Sequence, residues 1–187
     1  MNRAIAGVFV GGAGLRMGGA AKGLLPAPGG GTLVARWIEL LAPRGLDVVL
    51  VGERREYAPL GLEILADAPA GIGPLGGLVA LLQRASVAPA LAFACDMPFV
   101  SASIVERLLA ASPDAAVLAP RRGERWEPLC ARYDPSRVLP LAVARARGQD
   151  HSLQRLLHAA GAQALDLTAA EAAELRDWDS PDDVAKA

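Results

Sequence analysis

Apolar residues recur along this chain in two rhythms. Residues 4–10 are apolar throughout and run into Gly11-Gly12, the pattern of a strand buried on both faces. Runs at 47–51, 62–66, 90–94 and 115–119 read the same way. Between them the period changes to that of a helix. Leu33, Trp37, Leu40 and Leu41 share one helical face, and Leu75, Leu78, Val79 and Leu82 share another. Ser101 stands as N-cap of a third helix through Ser112, with Ile104, Val105, Leu108 and Leu109 inward. Beyond Pro120 the pattern predicts a strand over 126–133 and helices over 135–147 and 152–160. A short strand near Leu165 follows, then a last helix with Pro181 in its first turn and Asp179 or Ser180 as cap.

Alternating strands and helices predict a mostly parallel sheet covered on both faces. The expected class is α/β, a Rossmann-like three-layer αβα arrangement in one domain over residues 1–187. Aromatic residues make up 4% of the 187 positions against 52% hydrophobic in all, so aliphatic side chains must build the core. Nineteen basic residues nearly balance twenty acidic ones, which lacks the basic excess of a nucleic-acid binder. Cys95 and Cys130 have no metal-type spacing and read as small buried hydrophobes; His151 and His158 are too few for a histidine metal cluster. No apolar run reaches the roughly 20 residues of a membrane span. The first apolar run ends in a glycine-rich loop with Arg16 and Lys22 rather than a cleavage site, so a cytoplasmic protein is expected.

Ligands of open parallel sheets bind beyond the carboxyl ends of the strands. There the chain carries Gly11-Gly12-Ala13-Gly14-Leu15-Arg16-Met17-Gly18-Gly19, then Lys22-Gly23. Backbone N–H groups free of side chains can approach phosphate oxygens, and two cations reinforce them. Gly23 after Lys22 excludes a P-loop, and Met17 breaks the dinucleotide fingerprint; the alternative is an ordinary βα loop with two solvated cations. Asp96 ends the fourth apolar run, where a carboxylate can hold Mg²⁺ alongside substrate phosphates or merely cap a turn. Asp67 with Gly71-Ile72-Gly73-Pro74-Leu75-Gly76-Gly77 forms either a cover for a base or sugar or a plain connector. Asp177, Asp179, Asp182 and Asp183 cluster late in the chain.

In this order the segments through Arg16-Met17-Gly18-Gly19, Lys22-Gly23, Asp67, Gly73-Pro74-Leu75-Gly76-Gly77, Cys95-Asp96-Met97-Pro98, Glu127-Pro128-Leu129 and Asp177-Trp178-Asp179 resemble the molybdenum cofactor guanylyltransferases. The resemblance implies transfer of GMP from GTP to the terminal phosphate of molybdenum-molybdopterin, with release of pyrophosphate. It implies that backbone at Phe9, Val10, Gly11 and Gly12, together with Val51, meets the nucleoside. Asp67, Gly73, Pro74 and Leu75 would complete the nucleotide site. Arg16, Lys22 and Asp96 would be catalytic, with Lys22 on the phosphates and Mg²⁺ on Asp96. Residues 1–119 would bind the nucleotide and 120–187 the acceptor, with transient contacts to cofactor-synthesis proteins and molybdoenzymes. Ala21 stands where the family often has Asp, Val51 where it often has Asn, Glu127 where Gln or His is common, and Asp177 and Asp179 where Asn is usual. A related transferase using CTP or a sugar phosphate, and a non-catalytic nucleotide-binding protein of the same fold, are the alternatives. A phosphate acceptor is already anionic near neutral pH, its second pKa lying near ~6, so the chemistry needs no general base.

Overall fold

The computed structural model describes residues 3–11, 21–53 and 55–178. Its strands are β1 (Ile5–Phe9), β2 (Asp47–Val51), β3 (Ile64–Leu65), β4 (Ala90–Ala94), β5 (Val117–Ala119), β6 (Arg121–Arg122), β7 (Arg125–Trp126), β8 (Cys130–Tyr133) and β9 (Gln163–Ala164). The helices are α1 (Leu33–Leu41), α2 (Pro74–Ala85), α3 (Ala102–Ala110), α4 (Pro135–Ala146), α5 (Leu153–Ala159) and α6 (Ala169–Glu174). Seven strands form one sheet in the order β3-β2-β1-β4-β8-β5-β9. Pairing is parallel except on both sides of β8, which runs antiparallel to β4 and to β5. The chain is thus a single α/β domain with a mostly parallel central sheet.

Strand alternation sorts the core into two layers. Ile5 and Phe9 of β1 face the layer of α2, α4 and α5, with Leu78, Leu81, Val138 and Leu156. Ala6 and Val8 face the layer of α1 and α3, with Val34, Trp37, Ile104 and Leu108. Trp37 stacks on Phe93 of β4 at a centroid separation of 4.7 Å, fixing α1 over the middle of the sheet. At Gly7, a Cβ would stand 2.8 Å from Leu81, so α2 lies closer to β1 than an alanine would permit. Both cysteines are buried. Among the described residues no helix is long and apolar enough to cross a membrane.

Four elements differ from the sequence expectation. The strand expected over 126–133 is broken: β7 closes a hairpin with β6, Glu127-Pro128-Leu129 turns, and β8 then enters the sheet. Pro128 has no N–H for a ladder, so pairing cannot run through it. The edge strand β3 keeps two residues of the five expected, opposite Leu50 and Val51. Helix α3 ends at Ala110 rather than Ser112, because Pro113 disfavours helical backbone at Ser112, where φ is 43°. Ser101 does precede α3, but its side chain makes no cap bond; the Glu174 carboxylate accepts from the Ser101 amide at 3.0 Å instead. That carboxylate comes from α6, which the apolar pattern does not reveal. The last helix, expected from Pro181, lies outside the described residues.

Helix α6 is ordered by charge and capping rather than by burial. Thr168 and Glu171 form a reciprocal capping box, and Glu171 also accepts from Arg107 of α3 at 2.7 Å. The Arg107 guanidinium and the Thr168 groups hold the Glu171 carboxyl down to about 2. A carboxyl lowered in the fold contributes stability above its ordinary value near 4.5 and loses it as pH falls towards about 2. Thermal melts between pH 5 and pH 2 should therefore show a steeper acid loss in the wild-type chain than in Glu171→Gln.

The ends of β1 and β2 meet backbone to backbone. Gly52 has φ of 108°, and a Cβ there would stand 2.5 Å from both Cα and N of Gly11. Gly52→Ala should cost on the order of 3 kcal/mol in chemical denaturation, from left-handed strain plus overlap. Gly45→Ala, with φ of 75° but open space around it, should cost only about 1 kcal/mol.

Candidate functional site

The carboxyl ends of β1, β2 and β4 form one edge of the sheet, and the residues singled out by the sequence gather there. The amides of Val10 and Gly11 both donate to the Val51 carbonyl, at 2.9 and 3.2 Å, and the Cys95 amide donates to the Phe9 carbonyl at 3.1 Å. The strand ends are thereby tied together just before Gly12. The side chains of Phe9, Val10 and Val51 are buried in the core, so ligand contacts at this end fall to backbone atoms. Gly12 and Arg16 lie outside the described residues.

Lys22 opens a 3-10 turn, Lys22–Leu24. The turn is anchored from below. Tyr57, fully buried, accepts from the Gly23 amide at 3.0 Å, and a Cβ on Gly23 would stand 2.9 Å from its hydroxyl. The Lys22 ammonium then reaches across to Asp96, with Nζ 2.9 Å from Oδ2, and donates to the Trp178 carbonyl at 3.2 Å. Asp96 sits in the turn after β4. The Trp37 indole fixes that turn by donating to the Cys95 carbonyl at 3.3 Å, and the Trp178 amide by donating to the Asp96 carbonyl at 2.9 Å. Both ionic side chains are about four-fifths covered, at 22% and 20% exposure, yet open enough to exchange partners.

Trp178 therefore straps the late segment onto both Lys22 and Asp96. Its indole packs with Ala27 and Leu33 and meets Phe99 edge-on at 6.2 Å. Asp177 precedes it on the chain, and Asp179 lies outside the described residues. The sequence pointed to the acids of this segment; the structure places the neighbouring tryptophan's backbone on Lys22 and Asp96. An apolar aromatic flanked by acids was the available signal. Tyr57 and Gly52 were also missed, and neither carries a local sequence mark, because their partners Gly23 and Gly11 lie 34 and 41 residues away along the chain.

Asp67 follows β3 on the α2 side. A Cβ at Gly77 would stand 3.1 Å from its Oδ1, and a Cβ at Gly76 would be 2.3 Å from the Pro69 carbonyl. The paired glycines thus let the Asp67 loop lie directly on the first turn of α2. Burial pushes the Asp67 carboxyl up, and it has no hydrogen-bond or ionic partner among the described residues. Gly73 caps α2 and Pro74 is its first residue, both exposed, whereas Leu75 is buried in the core and offers a ligand no side-chain contact.

Glu127 lies at the same sheet edge. The Ala94 amide donates to the Leu129 carbonyl at 2.8 Å, which hooks the Glu127-Pro128-Leu129 turn to the end of β4, just before Asp96. Among the described residues no group of three or more Asp, Glu, His or Cys converges as a metal cage. Asp96 is instead a single hard carboxylate already holding a cation, which suits an ion that takes most of its ligands from a phosphate and water. The edge as a whole offers an ammonium, a carboxylate and closely packed glycine backbone, a combination suited to a polyphosphate.

The family model of the MobA-like NTP transferase domain matches residues 6–166. A molybdenum cofactor guanylyltransferase of Pseudomonas putida is 32% identical over 180 residues, covering 94% of this chain and 92% of that protein. A protein of the same name from Xanthomonas euvesicatoria pv. vesicatoria (strain 85-10) is 34% identical over 178 residues, covering 94% and 89%. Among solved structures, the molybdopterin-guanine dinucleotide biosynthesis protein A of Archaeoglobus fulgidus superposes with a TM-score of 0.80 at 23% identity, over 97% of this chain and 95% of that one. The 2-C-methyl-D-erythritol 4-phosphate cytidylyltransferase of Thermus thermophilus has a TM-score of 0.69 at 18% identity, over 98% and 96%, and so shares the fold. With its match over most of the chain and these relatives, the chain belongs to the MobA-like NTP transferase family and is a nucleotidyltransferase.

Proposed function

We propose that the chain transfers GMP from GTP to the terminal phosphate of molybdenum-molybdopterin, with Mg²⁺ held by Asp96. The observation that carries this reading is the Lys22–Asp96 pair at 2.9 Å on the carboxyl edge of the sheet. The names of the 32–34% identical relatives support the guanylyl donor and the molybdenum cofactor as acceptor. The Val10 and Gly11 amides and the Val51 and Phe9 carbonyls already bond within the sheet edge, so the carbonyls of Val10 and Gly11 are the backbone groups that would meet the N–H donors of guanine's Watson–Crick edge.

Mg²⁺ on Asp96 would offset the charge of the polyphosphate and of the departing pyrophosphate. The chain's own residues do the rest. Lys22 would leave Asp96 for the phosphates, supplying a positive charge where negative charge accumulates. The acceptor phosphate, an anion at neutral pH, attacks the α-phosphorus in line; a P–O bond forms to the acceptor and the α–β bridging P–O bond breaks. No proton need be removed from the nucleophile, and no histidine appears among the residues gathered at this edge. Trp178, by holding the Asp96 carbonyl, keeps the carboxylate in place while Lys22 moves.

Asp96→Ala should lower kcat for GMP transfer by about 10³-fold or more while the melting temperature stays within a few degrees. Lys22→Ala should raise the GTP dissociation constant about 10- to 100-fold, the size of a lost charge-assisted bond. Mass analysis of product formed from molybdopterin with GTP, CTP, ATP or UTP checks the reading, and preferred turnover of any base but guanine overturns it. Asp67 gives a separate test. A raised carboxyl costs stability as pH climbs above its ordinary value near 3.8, so Asp67→Asn should melt higher than wild type at pH 7 and equally at pH 3. Its GTP affinity should fall about tenfold if the ionised carboxylate serves the nucleotide, as calorimetry would measure.

A further inference from the structure

The β6–β7 hairpin carries a feature that nucleotide binding does not use. Arg122 and Arg125 are direct cross-strand partners, so two guanidinium groups rise from the same face of a two-residue ladder. Like charges placed opposite each other destabilise a hairpin. Here the strain is only half relieved. Arg122 donates to Glu127 Oε1 at 2.5 Å, while Arg125 is exposed and has no ionic partner among the described residues. Arg121, on the other face, is occupied: it pairs with Glu124 and lies over the Trp126 ring at 5.2 Å.

The base of this hairpin is rigid. Gln154 clamps Trp126 from both sides, accepting from its amide at 2.9 Å and donating to its carbonyl at 2.8 Å. The Glu127 amide donates to Pro120 at 3.0 Å, and the buried Tyr133 hydroxyl donates to the Pro128 carbonyl at 2.6 Å. Glu127 itself is 8% exposed, an unusual burial for a carboxylate, and the ion pair with Arg122 offsets it. Because β8 runs antiparallel to β4, the chain before Leu129 and the chain after Ala94 leave the sheet at the same edge. The arginine face and Asp96 therefore share that edge, on opposite sides of the Ala94–Leu129 joint.

We propose that Arg122 and Arg125 form the seat for the acceptor's phosphate monoester, and that Glu127 occupies the seat as an internal anion until that phosphate displaces it. This rests on the reading of the chain as a transferase to a phosphorylated acceptor, and adds where that phosphate binds. A phosphate with two charges meets two guanidiniums better than one carboxylate does, and each arginine can donate to it in a fork. Glu127 then acts as a specificity residue: it cancels one of the seat's two positive charges and leaves the seat to ligands with charge enough to compete.

Two measurements on the full chain separate this inference from the reading beneath it. In the first, inorganic phosphate is titrated by calorimetry into protein saturated with Mg²⁺ and α,β-methylene GTP, which fills the nucleotide site and cannot donate GMP. Wild type should bind phosphate. Arg122→Ala and Arg125→Ala should each weaken that binding about tenfold, Arg122→Lys should recover part of it, and Glu127→Gln should strengthen it several-fold. No phosphate binding by wild type, or binding unchanged in both arginine variants, overturns the seat whatever the acceptor is. In the second, pyrophosphate release with GTP and molybdopterin is followed. The arginine variants should raise the acceptor KM about tenfold with the GTP KM unchanged, and Glu127→Gln should lower it. Equal changes in both KM values would mark the hairpin as merely structural. Wild-type protein that binds phosphate at this seat but releases no pyrophosphate with molybdopterin would support the seat and refute that acceptor.

Discussion

An ammonium and a carboxylate from positions 74 residues apart meet at 2.9 Å on one edge of the sheet, and much of the structure serves to bring them there. Neither is held by its own side chain alone. Asp96 is aimed by a turn whose carbonyls are taken by the indole of Trp37 and the amide of Trp178. Lys22 is aimed by a short turn that rests on the hydroxyl of Tyr57. Each anchor is a large aromatic buried to 2% exposure or less, so the pair draws its rigidity from the core.

The same economy governs the glycines. Glycine-rich segments near a parallel sheet suggest phosphate contact, but several here answer a packing demand first. Gly52 lets β2 end against Gly11, Gly76 and Gly77 let the Asp67 loop lie on α2, and Gly23 leaves room for Tyr57. Each brings one segment at this edge close to another without an intervening side chain. A ligand at this edge would then meet backbone whose position is already set, which lowers the ordering cost of binding.

The parallel strands were legible because burial on both faces writes them as uninterrupted apolar runs, as at residues 4–10 and 90–94. Helices α1 to α5 were legible from their apolar faces. Helix α6 was not, since none of its residues is buried; its sign was the Thr168–Glu171 capping box, a polar pattern. The break at Pro128 was hidden inside an apolar stretch that also reads as one strand. At the site, Asp96 and Lys22 stood out because a lone charge beside an apolar strand or glycine loop is conspicuous. Trp178, Tyr57 and the pairing of Arg122 with Arg125 depend on which distant segments meet, which no local pattern encodes. Trp178 is buried in the core, but its backbone is what touches Lys22 and Asp96.

In the proposed reaction Lys22 and the metal would exchange places on Asp96 when nucleotide arrives. Crystals grown with GTP and Mn²⁺, with data collected at the manganese edge, test this directly. The account predicts an anomalous peak within bonding distance of an Asp96 carboxylate oxygen and of a GTP phosphate oxygen, with the Lys22 ammonium moved onto the phosphates. A manganese peak away from Asp96, with the Lys22–Asp96 pair still closed beside bound GTP, would contradict it.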